Sequence, residues 1–189
     1  MPIRITINPN SESSAEWAIF HMAETLGPAW DVWMNRHLVF NSRACGAMNR
    51  EVDCILYHRE YGMLIVECKG GKIWTRYNEK SKATEWFSGN NPLVPPPSEQ
   101  VGSLISPLHE YMKEILEPAR EGKMRKVRVQ WAVCFSDMDS MEGIPGSEIP
   151  RKRALLRPDV LNAKRFEKRI IEILETPVQA NGNMPFMNE

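Results

Sequence analysis

Apolar residues recur at three- to four-residue spacing in the first part of the chain: Ala15, Ala18, Ile19, Met22 and Leu26. That period is one face of a helix over about residues 14–26, opened by Ser13 as N-cap with Glu16 three positions on and closed near Gly27-Pro28. Trp30 to Phe40 carries a weaker strand pattern. Residues 50–57 and 63–69 are stronger strands, joined through His58-Arg59-Glu60-Tyr61-Gly62, and a short connection containing glycine predicts a hairpin. Lys72 to Tyr77 reads as a further strand. From Asn78 to Pro97 the chain turns polar and rich in Gly and Pro, which predicts a long irregular surface loop.

A second helical period follows in Val101, Leu104, Ile105, Leu108, Met112, Ile115 and Leu116, over about 99–117. Pro107 inside it predicts a kink, or a restart capped by Ser106. Val127 to Phe135 is a β-branched and aromatic strand, Ser136 to Pro150 an acidic loop, and Ala154 to Leu156 a short strand. Ala163, Phe166, Ile170, Ile173 and Leu174 mark a last amphipathic helix over about 161–175. The order of elements predicts one α/β (α+β) domain over residues 1–176, a mixed sheet flanked by helices, with 177–189 as a flexible tail or linker.

Composition narrows the function. The 189 residues hold 24 Lys+Arg and 24 Asp+Glu, so no global basic excess drives nucleic-acid binding. Any contact with nucleic acid has to follow a local track, for which Lys72, Arg76, Lys80 and Lys82, or Arg151, Lys152, Arg153 and Arg157, are the available runs. No apolar run approaches the roughly 18–20 residues of a membrane helix, and the start lacks a signal-peptide core, so a cytoplasmic protein is expected. Cys45, Cys54, Cys68 and Cys134, like the four histidines, are scattered without zinc-ligand spacing.

The chemistry concentrates on the hairpin. With its turn centred on Glu60, cross-strand partners have numbers summing to 120, which sets Asp53 opposite Glu67 and Glu51 opposite Lys69. Period-two alternation then brings all four side chains out on one face at the far end of the hairpin. Around them both faces are apolar, so the strands are central and the charges there need partners or a cation. Two carboxylates side by side repel each other alone and suit Mg²⁺, while a lysine beside them can orient or deprotonate a water and stabilise phosphoryl charge. The same residues also fit an ordinary cluster of salt bridges at a strand end.

Asp53, then Glu67-Cys68-Lys69 across a hairpin, after a helix bearing Glu16, resembles the PD-(D/E)xK nuclease superfamily. Arg50-Glu51-Val52-Asp53 and Tyr61 through Gly70-Gly71-Lys72-Ile73 are similar to the nuclease-related domain (NERD) family over about residues 12–175. The resemblance implies a restriction-endonuclease-like fold and Mg²⁺- or Mn²⁺-dependent cleavage of DNA in processing or repair, with RNA left open. It implies Asp53, Glu67 and the Cys68 backbone carbonyl as metal ligands, Glu16 near the metal or its water, Lys69 as catalytic lysine, and Gln100 near the substrate. It also implies a helicase region or partner, since the family occurs fused to such regions. The alternative is a fold that binds DNA or a helicase without turnover. Glu16 serves equally as the third residue of a capping box, Gln100 as a first-turn polar residue, and Gly70-Gly71 as a strand-ending turn. Trp131 belongs by its pattern to the core, and Trp86 is the better candidate of the tryptophans to stack on bases.

Overall fold

The computed structural model describes residues 13–43, 45–116 and 128–176. The expected tail 177–189 lies outside the described residues.

Antiparallel pairing dominates the first half. Strand β1 (Trp30–Ser42) pairs along its whole length with β2 (Gly46–His58), and β2 pairs with β3 (Gly62–Lys69). The predicted register of the second hairpin holds, from His58 opposite Gly62 to Cys54 opposite Val66. Gly62 is required at its turn: φ is +109°, and a Cβ would collide with the Arg128 carbonyl that accepts from Met63 N. Beyond β3 the sheet continues in parallel with β7 (Val129–Phe135) and β8 (Ala154–Leu156), in the order β1-β2-β3-β7-β8. This is the expected mixed sheet.

The polar stretch 78–97 is not an irregular loop. After β4 (Ile73–Asn78), strands β5 (Ala83–Ser88) and β6 (Asn91–Leu93) complete a separate three-stranded antiparallel sheet. Its turns carry the polarity that disguised it. Helix α2 (Pro97–Leu116) runs through Pro107 without a restart, so Ser106 caps nothing. Helix α1 (Ser14–Ala23) ends three residues earlier than its apolar period. A short helix α3 (Arg157–Val160) precedes α4 (Ala163–Glu175).

Period-two alternation splits the core into two layers. Cys54, Leu56, Leu64, Val66, Cys68, Ala132 and Cys134 face α1 and α4. Ile55, Ile65, Trp131, Val133 and Phe135 face α2 and the small sheet. Phe166, Ile170, Ile173 and Leu174 of α4 are all fully buried. At ~1.5–3 kcal/mol for each fully buried side chain, α4 contributes roughly 6–12 kcal/mol of apolar burial before entropy is set against it. Trp30 Nε1 donates to Glu167 Oε1 at 3.1 Å and ties β1 to the same helix. Among the described residues no helix is long and apolar enough to cross a membrane.

Candidate functional site

The ladder between β2 and β3 stops at Cys54–Val66, one pair short of Asp53 and Glu67. From there β2 continues with β1 alone, through Val52 opposite Arg36 and Glu51 opposite His37. β3 continues with β7, through Glu67 opposite Val133 and Lys69 opposite Phe135. The two strands fork. In the fork the Asp53 side chain takes the place of a strand partner, and Cys68 N donates to Asp53 Oδ2 at 2.6 Å.

Lys69 is fixed from two sides. Its ammonium donates to Glu67 Oε1 at 2.6 Å and to Gln100 Oε1 at 2.9 Å. Glu67 and Lys69 alternate onto one face of β3, with side chains 15% and 17% exposed. Gln100, in the first turn of α2, is aimed by its other end: Nε2 donates to the Pro95 carbonyl at 2.7 Å. That bond turns the amide oxygen toward Lys69. The proline-rich approach to α2 thereby positions the glutamine.

Asp53 carries the electrostatic cost of this gathering. Its carboxyl is pushed up from 3.8 to about 7, first by burial and then by the negative charge of Glu67, with Glu16 adding to it. The Cys68 N–H and the Lys69 ammonium pull the other way and do not prevail. Glu16 enters from α1, where its backbone N–H donates to Ser13 Oγ at 3.3 Å, so the expected cap forms. The start of α1 lies against Gly70, where a Cβ would meet Ser14 Oγ at 2.8 Å. Helix and strand end approach each other closely here, which brings the Glu16 charge within reach of Asp53.

Of the residues singled out in the sequence, Asp53, Glu67, Lys69 and Gln100 are brought together, and Glu16 acts on Asp53 through its charge. Glu51 is not part of the group. It is exposed beyond the fork, and Lys69 pairs with Glu67 and Gln100 instead. Trp86 is corrected too: it is 1% exposed, packs in the core and donates Nε1 to Glu148 Oε2 at 2.7 Å, so it presents no face to a base. Trp131 is core, as its pattern required. Three residues of the two basic runs are engaged by the fold: Arg76 pairs with Glu85 at 2.6 Å, Arg153 is buried over the Trp131 ring, and Arg157 lies 3.8 Å from Asp139.

Asp137 was missed. Its Oδ2 accepts from Gly71 N and closes the turn after Lys69, while Gly71 takes a φ of +81°. The available signal was its place two residues after the end of β7, the strand paired with β3. The buried thiols of Cys54, Cys68 and Cys134 belong to the α1/α4 core, and burial pushes all three well above their ordinary value. They stay neutral and give the fork no soft ligand.

The fork gathers, among the described residues, the carboxylates of Asp53 and Glu67 and the amide oxygen of Gln100 around the Lys69 ammonium, and oxygens are the ligands of a hard cation. Among the described residues no three His, Cys, Asp or Glu side chains stand as a ready cation site. Asp53 and Glu67 would therefore supply two ligands, with carbonyl, water and substrate oxygens for the rest, an ordinary set for Mg²⁺. Two carboxylates of adjoining strands at a part-buried fork are a donor set that fits such an ion, which would offset both their burial and their mutual repulsion. No family model matches the chain, and no curated protein or solved structure matches it.

Proposed function

We propose that the chain is a metal-dependent nuclease that hydrolyses DNA phosphodiester bonds. One observation carries the reading: a lysine held between a carboxylate and a glutamine, at a strand fork where a second, part-buried carboxylate accepts from the Cys68 N–H. The resemblance of Asp53 and Glu67-Cys68-Lys69 to the PD-(D/E)xK and NERD nucleases agrees with it, and the chemistry belongs to the side chains.

Asp53, Glu67 and the Cys68 carbonyl would hold Mg²⁺ or Mn²⁺, with Glu16 on the α1 side. When bound, the ion supplies Lewis acidity toward the phosphoryl group. Lys69 has three N–H donors, two of them spent on Glu67 and Gln100. The third is free to meet a phosphoryl oxygen as negative charge builds there, and because the ammonium is already fixed, little reorganisation opposes it. Gln100 keeps the ammonium in place and limits its wandering toward Glu67 alone. A cation bound there would lower the raised Asp53 carboxyl, which burial and then the Glu67 charge hold up.

Labelled single- and double-stranded DNA, with RNA as a third substrate, is incubated with the protein and Mn²⁺ or Mg²⁺. Cleavage that requires metal and is lost in Asp53→Ala and Lys69→Ala supports the enzyme. Binding of DNA, or of a helicase, without cleavage by the wild type overturns it in favour of a binding module.

A further inference from the structure

Away from the fork, α4 and the 3-10 turn Arg151–Arg153 that leads into β8 border an open groove of about 640 Å³. Every residue lining it is charged: Arg151, Lys152, Arg165, Lys168 and Arg169 against Asp159 and Glu172. The balance is three positive charges in excess, within a chain whose total is zero.

The arginines are held in position. Asp159, 1% exposed, accepts from Leu156 N at 2.9 Å and from Arg165 Nε at 2.8 Å, and lies 3.7 Å from an Arg151 nitrogen. Arg169 donates to the Arg151 carbonyl at 2.7 Å and to Glu172 at 3.0 Å. An anion binding here meets guanidinium groups whose freedom the fold has already removed, which lowers the entropy that binding costs. Lys152 and Lys168 add exposed charge at the rim; Lys168 is 78% exposed and 3.9 Å from Glu172.

Position relates the groove to the candidate site. Lys69 is aligned with Phe135 on β7, and Phe135 with Leu156 on β8. Two strand spacings put the Leu156 backbone about 10 Å from that of Lys69. Lys69 faces the α2 layer and α4 packs on the other face of the sheet, so a duplex reaches the groove around the β8 edge, within one ~34 Å turn. The Leu156 N–H is also the one that anchors Asp159 in the groove wall. With no aromatic or apolar side chain in its lining, the groove reads charge and not bases.

We infer that this groove seats backbone phosphates of the nucleic acid flanking the point of cleavage, an inference that takes its ligand from the nuclease reading. The test measures binding of a labelled 20-base-pair duplex by anisotropy, in EDTA, across a salt series. The variant is Lys152→Gln/Lys168→Gln, which leaves the Asp159 network intact and should melt within about 2 °C of wild type. The expected result is about tenfold weaker binding and a slope of log affinity against log salt that is shallower by about two. Unchanged affinity and slope in the variant, or no duplex binding by the wild type, would overturn the inference. Tripolyphosphate that protects the wild type against melting without displacing the duplex would overturn it as well, assigning the groove to a small polyphosphate. Metal-dependent cleavage with groove-independent binding removes the groove and leaves the nuclease. Groove-dependent binding with no metal-dependent cleavage does the reverse.

Discussion

Asp53→Asn separates what the site needs from what the fold prefers. The asparagine keeps a carbonyl oxygen for the Cys68 N–H and removes the charge that burial and Glu67 oppose. In the wild type the folded carboxyl titrates near 7 and the unfolded one near 3.8, so the folded state binds the proton more tightly. Between those values the unfolded chain carries fewer protons, and stability falls as pH rises, by up to about 1.4 kcal/mol per pH unit. Across the window the ceiling is about 4 kcal/mol, and water entering the fork on relaxation lowers it to roughly 1–3 kcal/mol. The cost is absent below about pH 4 and complete above about pH 7. The variant should therefore lie closest to the wild type near pH 4.5 and exceed it most at pH 8, by roughly 2–12 °C in melting temperature at ~2–4 °C per kcal/mol. Thermal melting in chelator from pH 4.5 to 8.5 measures this directly. A variant no more stable than wild type at pH 8, or a difference that ignores pH, would refute the electrostatic reasoning. Added Mn²⁺ should then close the gap by stabilising the wild type alone.

Other outcomes follow from the same contacts. Lys69→Met removes the cation that steadies Asp53 and Glu67; it should cost about 1–3 kcal/mol at pH 8 in a urea melt and abolish cleavage while metal uptake, read by calorimetry, persists. Trp86→Ala should destabilise by about 3–5 kcal/mol in the same melt, because the ring is buried against the α2 layer. Trp74→Ala, where the half-exposed ring stacks on Phe87 and its Nε1 donates to the Gly89 carbonyl at 2.7 Å, should cost less, about 1–2 kcal/mol.

Much of the fold was legible because alternation and register are local. The sum-to-120 pairing, the three-residue β8 and the buried face of α4 all follow from spacing alone. The fork was not legible, since nothing in residues 51–53 or 67–69 says where one ladder yields to another. A partial signal lies in Ala47 to Glu51, which lack an apolar alternation and extend into solvent as the outer arm of β1 and β2. The small sheet was hidden for a related reason. Gly89-Asn90 is a two-residue hairpin turn between Ser88 and Asn91, and its polarity, added to that of Asn78 to Lys82, masked the buried Trp86 between them. Asp53, Glu67 and Lys69 could be grouped from the hairpin alone, and Gln100 came from the resemblance. The bond from Lys69 to Gln100 crosses 31 residues and was beyond any local pattern.

Calorimetric titration of Mn²⁺ into the protein at pH 7, run in two buffers of different ionisation heat, tests the divalent-ion site most directly. Uptake should be accompanied by proton release, since burial and then Glu67 push the Asp53 carboxyl up to about 7, and should vanish in Asp53→Asn and Glu67→Gln. No uptake by the wild type, or uptake that survives both substitutions, contradicts the account.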